Sequence, residues 1–183
     1  MTAFDVSAHI ASCLEEDHLD YAIGGALALT AWAIPRDTKD VDISVFAAAG
    51  ELDRIFDSLE RAGVMVNRAD AAGSVARIGM FTGRSGRTLV DVFVGDHPHF
   101  HAMRARRVQL AYPSGQRYWF LSAEDLCVLK LLFGRTKDVA DLERMLAALP
   151  QLDLDYIREW VAQLPGSEAR LALLADLARR FRP

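Results

Sequence analysis

Two short runs of alternating residues constrain the fold of this chain more than any other feature. One is Asp40-Val41-Asp42-Ile43-Ser44-Val45, and the other is Thr88-Leu89-Val90-Asp91-Val92-Phe93-Val94. β-Branched residues at every second position predict strands over 41–46 and 88–94, because strand side chains alternate between two faces. Val41, Ile43 and Val45 then share one face, and Val90, Val92 and Val94 share another, as suits a sheet covered by helices. The opposite faces carry acids. Asp40 and Asp42 project together, and like charges side by side are normally held by a cation or kept in water. Asp91 stands alone in an apolar strand, which is costly unless something compensates it. If the two strands are neighbours, Asp91 completes a cluster of three carboxylates, a hard-oxygen site suited to Mg²⁺.

The size and composition fit such a sheet. A chain of 183 residues is one domain, or one domain with a small helical appendage. With 51% hydrophobic and 25% charged residues, wholesale disorder is excluded. The net charge of −4 argues against a bulk polycation wrapping nucleic acid, although a local basic patch remains compatible with it. Cys13 and Cys127 lie far apart without metal-ligand spacing, and are expected to be free core thiols in a reducing cytoplasm. No signal peptide is expected from MTAFDVSAHI, and the longest uncharged stretch, residues 21–35, is too short to span a bilayer. A soluble cytoplasmic protein with no membrane partner is the expectation.

Helical spacing predicts helices over 5–16, over 26–34 with a stop at Pro35, and over 51–62. Strands are predicted over 21–23, 75–81, 108–112 and 117–120, the last two joined around Pro113-Ser114-Gly115. After residue 120 only helices follow, over 123–133, 136–149, 155–164 and 168–181. Ser122 is placed to cap the first of these and Gly134 to end it. The order predicts an α/β (α+β) fold with a mixed sheet, divided into a core of residues 1–120 and a helical region of residues 121–183 packed on it.

Gly24-Gly25 falls where a strand ends and a helix begins. Backbone without Cβ atoms can approach a phosphate closely there, beside the free N–H groups of a helix start. Gly-Gly alone more often marks a tight turn. Its conjunction with Asp40-x-Asp42 on one strand and Asp91 on another is more specific. Together these residues resemble the DNA polymerase β-like nucleotidyltransferase superfamily, and most of all its AbiEii-type members, which include toxins of toxin–antitoxin pairs. The matching pieces are Gly24-Gly25, then Arg36, Thr38, Asp40 and Asp42, and later Lys130, Arg135, Asp138 and Asp141. The resemblance covers roughly residues 20–146.

That resemblance implies an Mg²⁺-dependent enzyme moving a nucleoside monophosphate from an NTP to an acceptor hydroxyl. Asp40, Asp42 and Asp91 would be the catalytic metal ligands. Gly24, Gly25, Arg36, Thr38 and Lys130 would contact the nucleotide. The toxin-like motifs favour an RNA acceptor such as a tRNA end, with an antitoxin protein as partner. The small acidic chain equally suits a small-molecule acceptor, as in antibiotic nucleotidyltransferases. A non-catalytic nucleotide-binding module of the same fold is the contrasting expectation; idle clustered acids, which only destabilise, argue against it.

Other residues carry competing expectations. Lys130 sits in Leu126-Cys-Val-Leu-Lys-Leu-Leu-Phe, so its head either reaches water past an apolar surface or points at the triphosphate. Asp138 and Asp141 are expected on a solvated face with Arg135 and Lys137, the alternative being that they position Lys130 or contact substrate. His97, His99 and His101 read as a solvated loop rather than a zinc site. Arg104, Arg106 and Arg107, with Arg117, read as a solvated basic patch or, more sharply, as a phosphate or RNA contact. Trp32, Trp119 and Trp160 are expected in the core.

Overall fold

The structure, a computed structural model, describes residues 2–32, 34–111 and 115–181. Its contacts divide the chain into two compact units, the first ending at Leu121 and the second starting at Ser122.

The first unit opens with α1 (Ala3–Glu16), whose start is fixed by reciprocal hydrogen bonds between Thr2 and Asp5 and whose Val6, Ile10 and Leu14 are buried. Then follow β1 (Tyr21–Ile23), α2 (Gly25–Ala31), β2 (Val41–Val45), a single 3₁₀ turn (Ala49–Glu51), α3 (Leu52–Arg61), α4 (Arg68–Ile78), β3 (Met80–Ser85), β4 (Thr88–Val94), α5 (Pro98–Arg106), β5 (Val108–Ala111) and β6 (Arg117–Phe120). The six strands form one mixed sheet in the order β3-β4-β2-β1-β6-β5. β2 pairs with β4 and β1 with β6 in parallel, and the other three pairings are antiparallel.

The valine face is the buried one. Val41, Ile43, Val45, Val90 and Val92 are inaccessible to solvent. Phe81 lies directly opposite Val92 on that face, and Phe56 of α3 meets its ring edge to face with centroids 5.4 Å apart.

Several sequence expectations are corrected. Residues 75–78 are the last turn of α4, not a strand. Asn67 caps that helix by accepting from the Asp70 N–H, and Gly79 ends it in the left-handed region at φ +70°. The apolar residues that suggested a strand do not pack as one: Ile78 is 67% exposed. Residues 98–106 are helical rather than a loop, with Pro98 in the first turn, where its missing N–H costs nothing. Phe100 and Met103 anchor this helix in the core, and Gly95 leaves room for the Phe100 ring. α2 ends at Ala31, before the predicted stop; beyond it the Ile34 N–H reaches back five residues to Leu29 O. Ala33, and the predicted turn at Pro113 and Ser114 with the end of its strand at Tyr112, lie outside the described residues.

The second unit consists of α6 (Ala123–Phe133), α7 (Thr136–Ala148), α8 (Leu154–Ala162) and α9 (Ser167–Phe181). Ser122 caps α6 by accepting from the Asp125 N–H, and Gly134 closes it at φ +60°, both as predicted. Leu126, Leu131, Leu142, Leu146, Ile157, Leu174 and others make its apolar interior. Cys13 and Cys127 are buried free thiols. The three tryptophans are half-buried rather than core. The indole N–H of Trp32 donates to Leu121 O, the Arg107 guanidinium covers Trp119, and Trp160 meets the Tyr156 ring. No helix among the described residues is long and apolar enough to cross a membrane.

Candidate active site

The register of β2 against β4 sets Asp42 directly beside Asp91 on adjacent parallel strands. Side chains so paired emerge from the same face, opposite the valines. Both acids are half-buried. Asp40 precedes β2 and is exposed. Its backbone is fastened by Thr38, whose hydroxyl accepts from the Asp40 N–H and donates to the Asp40 carbonyl, both at 3.1 Å. Thr38 therefore shapes the approach to the strand, and Arg36 two residues earlier is half-buried.

Gly24 and Gly25 reach the site through the antiparallel pairing of β1 with β2, which sets Ile23 opposite Ile43. The Gly24 N–H donates to Asp42 O at 2.9 Å. Gly25 has φ +54°, and a Cβ there would lie 1.9 Å from Asp42 Oδ2. The space a side chain would occupy at residue 25 is filled by the Asp42 carboxylate. The glycine thus serves the backbone turn and the placement of this acid together.

Asp91 has a partner on its other side. Thr82 of β3 is directly opposite it, and the Thr82 hydroxyl donates to Asp91 Oδ1 at 2.6 Å. Sequence reasoning missed Thr82 because it put the strand at 75–81. The tight turn at Gly86-Arg87 pairs Ser85 with Thr88, and counting back three residues on one strand and forward three on the other brings Thr82 to Asp91.

Among the described residues no three His, Cys, Asp or Glu side chains stand close enough together to hold an ion. What the sheet assembles is the Asp42–Asp91 pair, with Asp40 at its entrance. The pair fits a hard divalent cation: its donors are carboxylate oxygens only, and adjacent like charges favour a cation between them.

Lys130 belongs to the second unit and is buried there, its side chain 7% exposed. Its ammonium lies 2.6 Å from Asp141 Oδ2 and 3.7 Å from Asp138 Oδ1. Arg135 Nε also donates to Asp138 Oδ2 at 2.6 Å, and Arg144 Nη1 lies 3.7 Å from Asp141 Oδ1. The snorkelling expectation is corrected, because the head is enclosed and paired. So is the solvated face expected for Asp138 and Asp141, since both acids are buried. Burial by itself would raise the Asp138 carboxyl, but the Arg135 hydrogen bond and the positive charges of Arg135 and Lys130 bring it below its ordinary value.

The basic cluster is also partly internal. Arg107 is 13% exposed, donates to Asp20 Oδ1 at 2.6 Å and stacks over Trp119 at 4.4 Å. Arg104 pairs with the same Asp20, and Arg117 donates to Gln109 O. The expected solvated patch does not hold for Arg107, whose charge is spent within the fold. His97, His99 and His101 lie at the start of α5, with His101 Nε2 2.5 Å from Asp96 Oδ1.

Over residues 3–170 the sequence matches a family described as nucleotidyltransferase of unknown function (DUF6036). No curated protein is significantly similar in sequence. Two solved structures share the fold. The solution structure of the antibiotic-resistance factor ANT(2'')-Ia has a TM-score of 0.61 at 19% identity, with 97% of each chain covered. The crystal structure of ANT(2'')-Ia in complex with adenylyl-2''-tobramycin has a TM-score of 0.55 at 16% identity, covering 97% of this chain and 98% of the other. At such identities the likeness is one of fold.

Proposed function

The chain belongs to the DUF6036 nucleotidyltransferases, and from that premise we propose that it transfers a nucleoside monophosphate from an NTP to a hydroxyl of a small-molecule acceptor. The observation that carries this reading is the register of two adjacent parallel strands, which sets Asp42 beside Asp91 on one face of the sheet. A bound Mg²⁺ would supply charge to the triphosphate and the attacking oxygen. Asp42 and Asp91 would hold it.

The residues of the chain divide the remaining work. Asp42, in the space that the bare Gly25 backbone leaves for it, would supply the carboxylate on the triphosphate side. Asp91 takes the proton of the acceptor hydroxyl. The acceptor oxygen forms a bond to the α-phosphorus, the α–β phosphoanhydride bond breaks, and pyrophosphate leaves with the electron pair. Gly24 and Gly25 line the approach as bare backbone.

Two observations favour a small acceptor. ANT(2'')-Ia, seen with adenylyl-2''-tobramycin, is matched along 98% of its length, so the same fold at the same size accommodates a small acceptor in that protein. Two arginines of the basic cluster, Arg104 and Arg107, are also paired with Asp20, which lowers the charge that region can offer to RNA. The test incubates the protein with Mg²⁺ and each α-labelled NTP. One arm contains tobramycin and a panel of other hydroxyl-bearing small molecules, the other bulk tRNA. Label on a small molecule supports the proposal. Label on tRNA alone would replace it with the toxin-like activity and its antitoxin partner. Transfer no greater than that of Asp42→Asn in every arm would overturn nucleotidyl transfer.

A further inference from the structure

Asp91 stands between two neighbours of opposite character. On β2 the neighbour is Asp42, which repels it; on β3 it is Thr82, which donates to it. Strand alternation puts all three on one face. A carboxylate in this setting could rotate freely or swing away from the other acid. Here Oδ1 is engaged at 2.6 Å, a short bond of the kind a hydroxyl makes to an ionised carboxylate. The bond fixes the plane of the group and leaves Oδ2 for other work.

Thr82 is exposed. Water could satisfy its hydroxyl, so burial does not compel this bond. The threonine also fits a strand, and its β-branched side chain has few rotamers, which holds the hydroxyl where Asp91 needs it.

We infer that Thr82 is a positioning residue that holds the Asp91 carboxylate in the orientation in which Oδ2 takes the acceptor proton. This rests on the proposed reaction, in which Asp91 takes the acceptor proton. With Oδ1 held by Thr82 the plane of the carboxylate is set, so Oδ2 is turned to the acceptor proton while the second lone pair of Oδ1 stays available to a cation. Losing the tether leaves Asp91 chemically intact but free to rotate, so the turnover step suffers while nucleotide binding, governed by Asp42, does not.

The experiment compares Thr82→Val, which keeps shape and removes the hydroxyl, with Thr82→Ser, which restores it. The probes are Mg-ATP and tobramycin. Thr82→Val should lower kcat roughly tenfold, the effect of losing one hydrogen bond to a charged group, with KM for ATP within about twofold of wild type. Thr82→Ser should recover most of the rate. A second measurement does not need activity: urea unfolding of wild type, Thr82→Val, Asp91→Ala and the double variant. Thr82→Val should lower the midpoint in the wild-type background and leave it unchanged beside Asp91→Ala. Wild-type kcat in Thr82→Val, a Thr82→Ser variant as slow as Thr82→Val, or equal midpoint shifts in both backgrounds would each overturn the inference. If ATP and tobramycin give no transfer, the kinetics are run with the NTP and acceptor that the panel identifies; if the whole panel is silent the proposed reaction falls, while the unfolding cycle still decides whether Thr82 is tied to Asp91.

Discussion

Gly25→Ala separates the two duties of that glycine. Its backbone is at φ +54°, where a non-glycine residue costs about 1–2 kcal/mol. The new Cβ would fall 1.9 Å from Asp42 Oδ2 and 2.9 Å from Asp42 Cβ. Turning the carboxylate relieves the oxygen, but Asp42 Cγ at 2.5 Å and Cβ at 2.9 Å make the backbone shift as well. Stability should therefore fall by about 2 kcal/mol or more, roughly 4–8 °C in Tm or more for a chain of this size. Activity should fall much further, by about 10²-fold or more, because a displacement of about 1 Å at a reacting group has that effect. Gly24→Ala is the control. Its φ is −116°, and the nearest atom to a Cβ there is Leu121 Cδ1 at 3.2 Å, a side chain able to give way. Its Tm should stay close to wild type, and its transfer rate should fall much less than that of Gly25→Ala. The assay pairs thermal unfolding with NTP transfer for both variants. A Gly25→Ala protein of normal activity would refute the claim that residue 25 must be bare for Asp42 to be placed. So would equal damage from the two substitutions.

Lys130→Met should leave Asp138 and Asp141 buried without their shared cation, and urea unfolding should show a loss of about 3–5 kcal/mol. An unchanged midpoint would mean that Arg135 and Arg144 suffice to hold both acids. Asp91→Asn should retain Mg-NTP binding by calorimetry while turnover falls by about 10³-fold; equal loss of binding in Asp91→Asn and Asp42→Asn would deny the two acids separate roles. Arg107→Ala should cost about 1–2 kcal/mol of stability through its lost stack on Trp119 and pair with Asp20, with the salt dependence of tRNA binding unaltered; a flatter salt dependence would return Arg107 to an RNA surface.

The site was legible in the sequence where the residues break the physical pattern around them. Asp42 and Asp91 interrupt apolar alternation, and an acid in such a place has few explanations. That same alternation reports the face of each residue, though not which strand lies beside which. The neighbour of β4 had to be seen, and with it Thr82. The errors came where apolar residues carry no burial. Val75 and Ile78 resemble the start of a strand, yet they ride on a helix whose single buried residue is Ala71. The capping residues Asn67 and Gly79 were the better signal, as was Pro98 for α5. Lys130 shows another limit. Periodicity correctly put it inside an apolar helix, but the acids that neutralise it are 8 and 11 residues away, on the next helix. Charge pairing between helices leaves no trace in the period of either one.

The placement of the acids depends on strand direction as much as on residue type. β1 runs antiparallel to β2, so the end of β1 arrives at the start of β2, and the Gly24-Gly25 turn meets Asp42. Were that pairing parallel, the same turn would emerge at the other end of β2, beyond Val45. β2 and β4 run parallel, so their acids can be brought level by register alone, without a hairpin to fix it. The β3–β4 hairpin does the opposite: its two-residue turn dictates register, and through it the partner of Asp91. Each neighbour thus contributes something different to the two carboxylates. The β1–α2 turn contributes an absent side chain, β3 a hydroxyl, and the valines behind β2 and β4 a buried face that forbids slippage by one residue. A one-residue slip of β4 would turn Asp91 into the core and Val92 toward Asp42. The cost of burying that charge protects the geometry, so the same forces that close the core also hold the reacting face in place.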